Sequence, residues 1–275
     1  LSSSSAASDV YKRQFDKIHP AGLVIFLTII VISILFKKAF CSWICPFGAL
    51  SEGLAGAGKF FFGRNFKLPK FLDYPVRSLK YLILLFFLNA ILFGMSGIQA
   101  AAFLKSPYNM IADVKMLQFF QNLSGTSLII IGFLLILSVL FENFWCRYLC
   151  PYGALLGALS IISPFKVSRD RETCIDCGAC TKACPNRIEV AKADRVWSPE
   201  CTGCLNCVNS CPVKGTLEFK AAIKKLVLSP KVMAVAVIGT WIAFVVAAKL
   251  TGHWETSITP EIYAKLIPIA SRFGH

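Results

Sequence analysis

The chain has 275 residues, a formal net charge of +14, a hydrophobic fraction of 56% and a mean hydropathy of +0.62. Such values exceed those of soluble globular proteins, and the apolar residues lie in long runs, so the sequence excludes an entirely soluble protein and indicates a membrane protein. In a membrane protein an excess of Lys and Arg indicates topology and contact with membrane lipid rather than nucleic-acid binding.

The fold is predicted to begin after a short leader. Residues 1–14 show no apolar period and resemble a non-native leader, so the membrane domain is predicted to cover residues 15–165. Its first predicted span, residues 20–36, has no charged side chain and is just long enough to cross a bilayer. Residues 52–80 are basic and interrupted by Gly and Pro, which predicts a surface loop.

Three further apolar runs predict transmembrane helices, at residues 81–98, 123–141 and 232–248. An amphipathic patch at residues 116–120 precedes the third span and is predicted to lie at the membrane interface. Residues 154–165 predict a short interfacial helix that leads to a soluble insert, residues 166–219. The last segment, residues 220–275, is predicted to hold the fourth span and a polar tail.

Charge indicates the orientation of these spans. The connection after the first span, residues 37–80, has eight Lys or Arg against two acidic residues, whereas residues 96–126 have two against one. Because cytoplasmic loops carry the excess of Lys and Arg, the first connection is predicted to be cytoplasmic. Counting spans then places the insert and every cysteine motif on the cytoplasmic side of the inner membrane.

Two of the four cysteine motifs are copies of one another. Each copy follows a predicted span and has the form CxxxCP, at Cys41 and Cys45 and again, 105 residues later, at Cys146 and Cys150. A parallel repeat of this kind would bring the four cysteines together. Three interpretations remain open: a third iron-sulfur or other soft-metal centre, a thiol redox couple, and a turn whose cysteines are only small buried residues.

Basic residues next to these motifs affect the expected chemistry. Lys37, Lys38 and Arg147 are close to the four cysteines in sequence. Cations near a thiol favour its deprotonation, so thiolates are expected at the CxxxCP motifs.

The other two motifs lie in the soluble insert and share the spacing Cys-x2-Cys-x2-Cys-x3-Cys-Pro. In bacterial two-cluster ferredoxins the fourth cysteine of each run binds the cluster held by the other run. The predicted ligands are Cys174, Cys177, Cys180 and Cys211 for one [4Fe-4S] cluster, and Cys201, Cys204, Cys207 and Cys184 for the second. A zinc site usually shows two separated pairs of cysteines, and disulfides do not suit a reducing compartment, so neither is favoured.

Several common cofactors have no residues in the sequence to hold them. The three histidines, His19, His253 and His275, form no pairs within the spans, so no haem is predicted. The chain has no dinucleotide fingerprint and no phosphate-binding loop, so no nucleotide is predicted. No residue is assigned a catalytic role, which indicates an electron-transfer subunit of an oxidoreductase system rather than a self-contained enzyme.

These features predict a mainly α membrane protein with four transmembrane helices and a small α+β two-cluster ferredoxin insert between helices three and four. The spans, the repeated motifs SWICPFGAL and RYLCPYGALLG, and the runs CIDCGACTKACP and CTGCLNCVNSCP together resemble the membrane polyferredoxin family. That family includes NapH-type quinol dehydrogenase components and the ferredoxin half of NosR-type proteins. The resemblance covers about residues 15–219.

The resemblance implies a multi-pass protein of the cytoplasmic membrane. Its expected function is to pass electrons between a quinol pool or a soluble cytoplasmic donor and a respiratory reductase, a cytochrome partner or a maturation system. Membrane lipid is a further expected partner, and nucleic acid is not expected. An alternative function is metal handling, because members of the wider family are associated with copper oxidase assembly. In that case the clusters would reduce a metal ion in transit.

Overall fold

The residues described in the computed structural model, 18–221 and 226–272, form a mostly helical fold with one small sheet, and the predicted leader lies outside them. The helices before the sheet are α1 (Pro20–Phe36), α2 (Ala39–Trp43), α3 (Pro46–Phe62), α4 (Lys70–Leu92), α5 (Gly97–Leu104), α6 (Pro107–Met110), α7 (Ala112–Gln121), α8 (Gly125–Leu140) and α9 (Pro151–Leu159). After them come β1 (Phe165–Arg169), α10 (Ala179–Lys182), α11 (Asn206–Asn209), β2 (Leu217–Ala221), α12 (Pro230–Leu250) and α13 (Pro260–Leu266). Short helical turns cover Trp145–Leu149, Ser160–Ile162, Val190–Lys192 and Ile267–Arg272.

Two of the described helices are long and apolar enough to cross a membrane. They are α4, over Phe71–Leu92, and α12. Helices α7 and α8 meet at a bend of 83° and count together as a third candidate. Helix α1 coincides with the first predicted span but, at 17 residues, is shorter than these candidates. The mainly helical fold is thus confirmed, and the described part of the chain holds two or three candidate spans.

The prediction of a surface loop over residues 52–80 is wrong. Most of this segment is helical, in α3 and in the first half of α4, and α4 ends at Leu92 rather than near residue 98. One of the glycines that suggested a loop, Gly58, instead permits close packing of two helices. A Cβ on Gly58 of α3 would lie 2.0 Å from the carbonyl oxygen of Val139 in α8. Sequence alone does not distinguish such a packing glycine from a glycine that ends a helix.

The polar tail predicted after the last span also has more structure than expected. Helix α13 begins at Pro260, a residue favoured in the first turn of a helix, and a further helical turn follows it. There the Nζ of Lys115 in α7 donates a hydrogen bond to the Ala270 carbonyl at 3.2 Å. Thr256 donates to the carbonyl of Ile18, just before α1, at 2.6 Å. The tail therefore packs near the end of α1 that is opposite to the cysteine motifs.

The cysteine-rich segment packs directly onto the apolar helices. Strand β1 pairs antiparallel with β2 and closes the base of this segment, while α1 packs along α12 and α9 along α4. One buried apolar core contains Ile32 of α1, Met233 of α12 and Phe219 of β2. Gly203 shows how close the contact is: its φ is +62°, and a Cβ there would lie 3.1 Å from the carbonyl oxygen of Phe36, at the end of α1. The fold thus holds the cysteines of the insert against one end of the helices.

Candidate functional site

Two cavities in the insert are each lined by four cysteines. The first is lined by Cys174, Cys177, Cys180 and Cys211, and the second by Cys184, Cys201, Cys204 and Cys207. We call them the Cys174 site and the Cys201 site. In each, the fourth cysteine comes from the other run, so both halves of the duplicated sequence build both cavities. Two cavities with four thiols each fit the donor set of a [4Fe-4S] cluster.

Local conformation explains how each run folds around its cavity. The third cysteine of each run, Cys180 or Cys207, lies on a one-turn helix, α10 or α11. The residue before each helix, Gly178 or Leu205, has the left-handed conformation, which turns the chain sharply after the second cysteine. A proline follows the fourth cysteine of each run and prevents further helix there. The repeated sequence therefore gives two loops of the same shape.

The two sites differ in their exposure to solvent. Cys177 of the Cys174 site is exposed, whereas Cys201 and Cys207 are buried. Burial raises the pKa of Cys184 to about 11 and holds that of Cys207 well above its ordinary value. These thiols are therefore protonated in the unloaded protein near neutral pH, and iron binding displaces their protons.

Charges beside the Cys174 site are balanced by carboxylates. The Nη1 of Arg169 lies 3.5 Å from the Sγ of Cys174 and donates a hydrogen bond to Asp176 Oδ1 at 2.9 Å. Arg171 forms a bidentate pair with Asp194, and these hydrogen bonds lower the pKa of Asp194. Each guanidinium group near this site thus has a solvent-accessible carboxylate partner.

The Cys201 site lies against the first CxxxCP motif. The Oγ of Ser42 donates a hydrogen bond to the Thr202 carbonyl at 3.2 Å, and the Nε1 of Trp43 donates to the Gly203 carbonyl at 3.2 Å. Both donors lie between the two cysteines of the motif, and both acceptors lie between the first two cysteines of the second run. Hydrogen bonds therefore join the two cysteine loops directly.

The four cysteines of the CxxxCP motifs lie near one another. They are Cys41, Cys45, Cys146 and Cys150. Burial raises the pKa of Cys41 to about 12, and the other three thiols also raise it, while Lys38 lowers it. Burial likewise raises the pKa of Cys146 to about 11. The Nζ of Lys38 donates to the Gly153 carbonyl at 3.3 Å, so the first motif contacts the second.

For Cys41 and Cys146, the expectation that the thiols deprotonate easily is wrong. Of the three basic residues near them in sequence, Lys38 is the one that lowers the pKa of Cys41 and Cys146. Lys37 donates instead to two backbone carbonyl groups of the insert, and Arg147 donates to a carboxylate of α4. Burial therefore outweighs the nearby positive charge, and these two thiols stay protonated near neutral pH without a bound metal.

A buried ionic network ties the insert to α4, and the sequence analysis did not predict it. The Nζ of Lys80 donates to both carboxylate oxygens of Glu200 at 2.6 Å, and the Tyr81 hydroxyl donates at 3.2 Å. Lys38 forms a longer ion pair with the same carboxylate at 3.9 Å. Burial opposes ionisation of Glu200, but the two ammonium groups keep its pKa below the ordinary value. Glu200 directly precedes Cys201, so the network reaches the Cys201 site.

A second buried network joins α4 to the second CxxxCP motif. Asp73 accepts hydrogen bonds from Arg147 Nη2 at 2.8 Å, from Arg147 Nε at 3.1 Å and from the Tyr148 hydroxyl at 2.5 Å. Arg77 pairs with the same carboxylate.

Because Asp73, Arg77 and Lys80 recur every three or four residues, a helical interpretation of this segment would have placed them on one face. Its assignment to a loop hid that signal.

The cysteine sites suit clusters better than single metal ions. All twelve cysteines are free thiols. Within residues 18–221 and 226–272, no three His, Cys, Asp or Glu side chains converge closely enough to hold one metal ion. Cysteines that bind a cubane do not converge in that way, because each thiolate binds a different iron.

Comparison with known proteins identifies two iron-sulfur families. A family described as "4Fe-4S binding domain" matches residues 18–69 and 123–169, which contain the two CxxxCP motifs. A family described as "4Fe-4S dicluster domain" matches residues 166–221, which contain the other eight cysteines. No solved structure matches the chain. The matches therefore support iron-sulfur binding.

Curated relatives agree with these matches. YccM of Escherichia coli, an electron transport protein by name, is 47% identical over 95% of this chain and 74% of its own length. The ferredoxin-type protein NapH of Escherichia coli is 28% identical over 70% of this chain and 67% of its own length. The protein NirI of Paracoccus denitrificans is 28% identical over 69% of this chain, a match that covers 28% of NirI. The similarity to YccM extends over the apolar helices as well as the insert.

Proposed function

This chain belongs to the membrane polyferredoxin family, and we propose that it carries single electrons at the cytoplasmic membrane between a redox donor and a respiratory acceptor system. One observation carries the proposal: of two four-cysteine cavities, one has an exposed cysteine and the other lies against the CxxxCP motifs. A [4Fe-4S] cluster, when bound, supplies one-electron chemistry. Such transfer needs no acid, base or nucleophile, so the chain acts as an electron-transfer subunit.

The two cavities are proposed to hold one cluster each. The ligands are Cys174, Cys177, Cys180 and Cys211 in the first, and Cys184, Cys201, Cys204 and Cys207 in the second. Protein purified without oxygen is expected to contain at least about eight irons and eight acid-labile sulfides, as two cubanes require. Fewer than about four irons in folded, anaerobically prepared protein would contradict the proposal.

The CxxxCP cysteines are proposed to hold a third iron-sulfur centre rather than a thiol couple. Thiol exchange needs thiolates, and burial disfavours them at Cys41 and Cys146. Ser51 also supports a bound group, because within the described part of the chain its buried hydroxyl has only the Cys146 thiol as a neighbour that could satisfy it. A centre here would lie beside the Cys201 site.

Replacing all four CxxxCP cysteines with Ala tests the third centre. The variant is expected to lose iron while it keeps about eight irons in the insert. Unchanged iron with loss of electron transfer would support thiol chemistry instead. Unchanged iron together with unchanged electron transfer would leave only a turn at each motif.

The proposed topology has four crossings, made by α1, α4, the α7 and α8 pair, and α12. The positive charge of residues 37–80 supports a cytoplasmic position for the cysteine motifs. Contacts at the two ends of α1 support opposite sides for the connection around Asn109 and the insert. Before α1, His19 Nε2 donates to the Asn109 carbonyl at 2.6 Å, whereas the other end of α1 contacts Gly203 of the insert. A reporter fused at Pro107 is expected outside and one after Phe219 inside; an insert accessible to protease on the outer face of intact cells would contradict this topology.

Two kinds of redox partner are proposed, one for the Cys174 site and one for the CxxxCP motifs. The exposed Cys174 site suits a soluble cytoplasmic redox protein, and the CxxxCP end lies beside the apolar helices, where a quinol or a cytochrome partner is accessible. Adding reduced ferredoxin or a short-chain quinol to the oxidised protein should bleach its visible absorbance; if neither donor did so, the proposed role would be wrong.

A further inference from the structure

Three buried lysines lie between the Cys201 site and the apolar helices. Lys37, Lys38 and Lys80 are 0%, 3% and 0% exposed. Glu200 is paired with Lys80 at 2.6 Å and with Lys38 at 3.9 Å. One carboxylate therefore pairs with two of the three ammonium groups, and an excess of positive charge remains buried. Such an excess is costly unless an anion lies nearby.

Lys37 is the ammonium group for which the structure provides no carboxylate. Its Nζ donates to the carbonyl oxygens of Trp197 at 3.4 Å and Ser198 at 3.2 Å, and it forms no ion pair with another described residue. Its backbone φ of 61° is uncommon for a residue with a side chain and is disfavoured there. Burial lowers the pKa of Lys37 to about 8, while the neighbouring Cys201 raises it, so the group stays charged near neutral pH. Among the described residues, the fold thus keeps a cation without a carboxylate partner, in a disfavoured conformation, beside Cys201.

An anion that fits this place is the cluster proposed for the Cys201 site. A [4Fe-4S] core bound by four thiolates has a net charge of about −2 when oxidised and one more negative charge when reduced. A fixed positive charge beside such a group stabilises the reduced form more than the oxidised form, because the attraction grows with the negative charge. We infer that Lys37 is the counter-charge of the Cys201 site and raises the reduction potential of the cluster held there.

The Cys174 site also has a cation beside it, the guanidinium of Arg169 at 3.5 Å from the Cys174 Sγ, but this cation has a carboxylate partner. Arg169 is paired with Asp176 at 2.9 Å, so the two charges nearly cancel. Cys177 is exposed, and water and salt screen charges near it. The charge of Lys37 therefore distinguishes the two sites. It favours residence of the electron at the site beside the CxxxCP motifs, which deepens the proposed electron-transfer function and rests on it.

Neutral substitutions of Lys37 test this inference by a measured potential. Lys37→Gln and Lys37→Met are compared with wild type in anaerobic redox titrations of the full chain, followed by electron paramagnetic resonance. We expect one midpoint potential to fall by at least about 59 mV, a tenfold change in a one-electron equilibrium, and the other to stay unchanged. Lys37→Arg keeps the charge and should keep the potential. Lys214→Gln, at an exposed lysine near Cys211, should change neither.

The remaining outcomes are equally decisive. Full iron with unchanged potentials in both neutral variants would overturn the inference. Loss of about four irons in both neutral variants, with full iron in Lys37→Arg, would support it, because the site would then need the charge to hold its cluster. An equal loss in all three variants would overturn it in favour of packing. A wild-type protein without iron would contradict the proposed function itself.

Discussion

The Cys174 and Cys201 sites share one cysteine spacing and differ in their surroundings. The first has an exposed cysteine and arginines paired with carboxylates, while the second has buried cysteines and Lys37, which forms no ion pair with another described residue. The duplicated motif determines which residues line each cavity. The helices against which one copy packs determine its access to solvent and its charge. A repeat in sequence thus gives two sites that are not equivalent.

The largest expected effect comes from removing one crossed cysteine. Cys184→Ser should remove the cluster of the Cys201 site, although Cys184 is the fourth cysteine of the run that begins at Cys174. The iron content should fall by about four, and the remaining signal should be that of the Cys174 site. Cys211→Ser is the matched variant and should remove the opposite signal. If each variant instead removed the cluster of its own run, the crossed arrangement would be wrong.

The next effect tests the attachment of the Cys201 site to α4. Glu200→Gln leaves the ammonium groups of Lys80 and Lys38 without a carboxylate, and breaking a buried pair in this way costs about 3–5 kcal/mol. The loss of visible absorbance on heating in detergent should therefore occur at a lower temperature. Asp194→Asn breaks an exposed pair beside the Cys174 site and should change this temperature little. Equal effects of the two substitutions would contradict the difference between the sites.

A smaller effect is expected from two glycines. Gly203→Ala adds a Cβ that would lie 3.1 Å from the Phe36 carbonyl, and both Gly203 and Gly178 have positive φ. An alanine at either position lowers the free energy of unfolding by about 1–2 kcal/mol, because a residue with a Cβ disfavours positive φ. Gly178 has open space around its Cβ position, so Gly178→Ala should cost less than Gly203→Ala. Thermal unfolding of the two variants measures this difference, and a larger cost at Gly178 would be inconsistent with close packing of the Cys201 site on α1.

The smallest effect concerns thiol reactivity in the iron-free protein and does not alter stability. Burial raises the pKa of Cys184 from 9.0 to about 11, so its thiolate population at pH 8 is lower and increases as pH rises towards that value. Alkylation of Cys184 at pH 8 should be on the order of a hundredfold slower in the folded chain than in denaturant. The exposed Cys177 should react readily in both states. Mass spectrometry of the labelled peptides measures both rates, and rapid labelling of folded Cys184 would argue against its burial.

Local signals in the sequence were the most informative. The uncharged run at residues 20–36 predicted α1. The crossed cluster ligands stay a prediction, and the same two sets of four cysteines line the two cavities. Sequence reasoning failed where tertiary contacts determine the structure. Gly58 is in a packed helix rather than a loop. Lys37 and Arg147 form hydrogen bonds with other partners and not with the thiols that are near them in sequence. Glu200 was missed because its partners are about 120 residues away, a separation that no local period reveals.

The most direct test is a reductive titration of the anaerobically purified wild-type protein, followed by electron paramagnetic resonance. It measures whether the duplicated motif forms two sites that take up electrons at different potentials. The two insert sites should each take up one electron, at different midpoint potentials, and their signals should broaden when both are reduced because the cavities are neighbours in one small insert. A folded protein that is replete in iron but gives no reducible signal, or two insert sites with identical potentials, would contradict it.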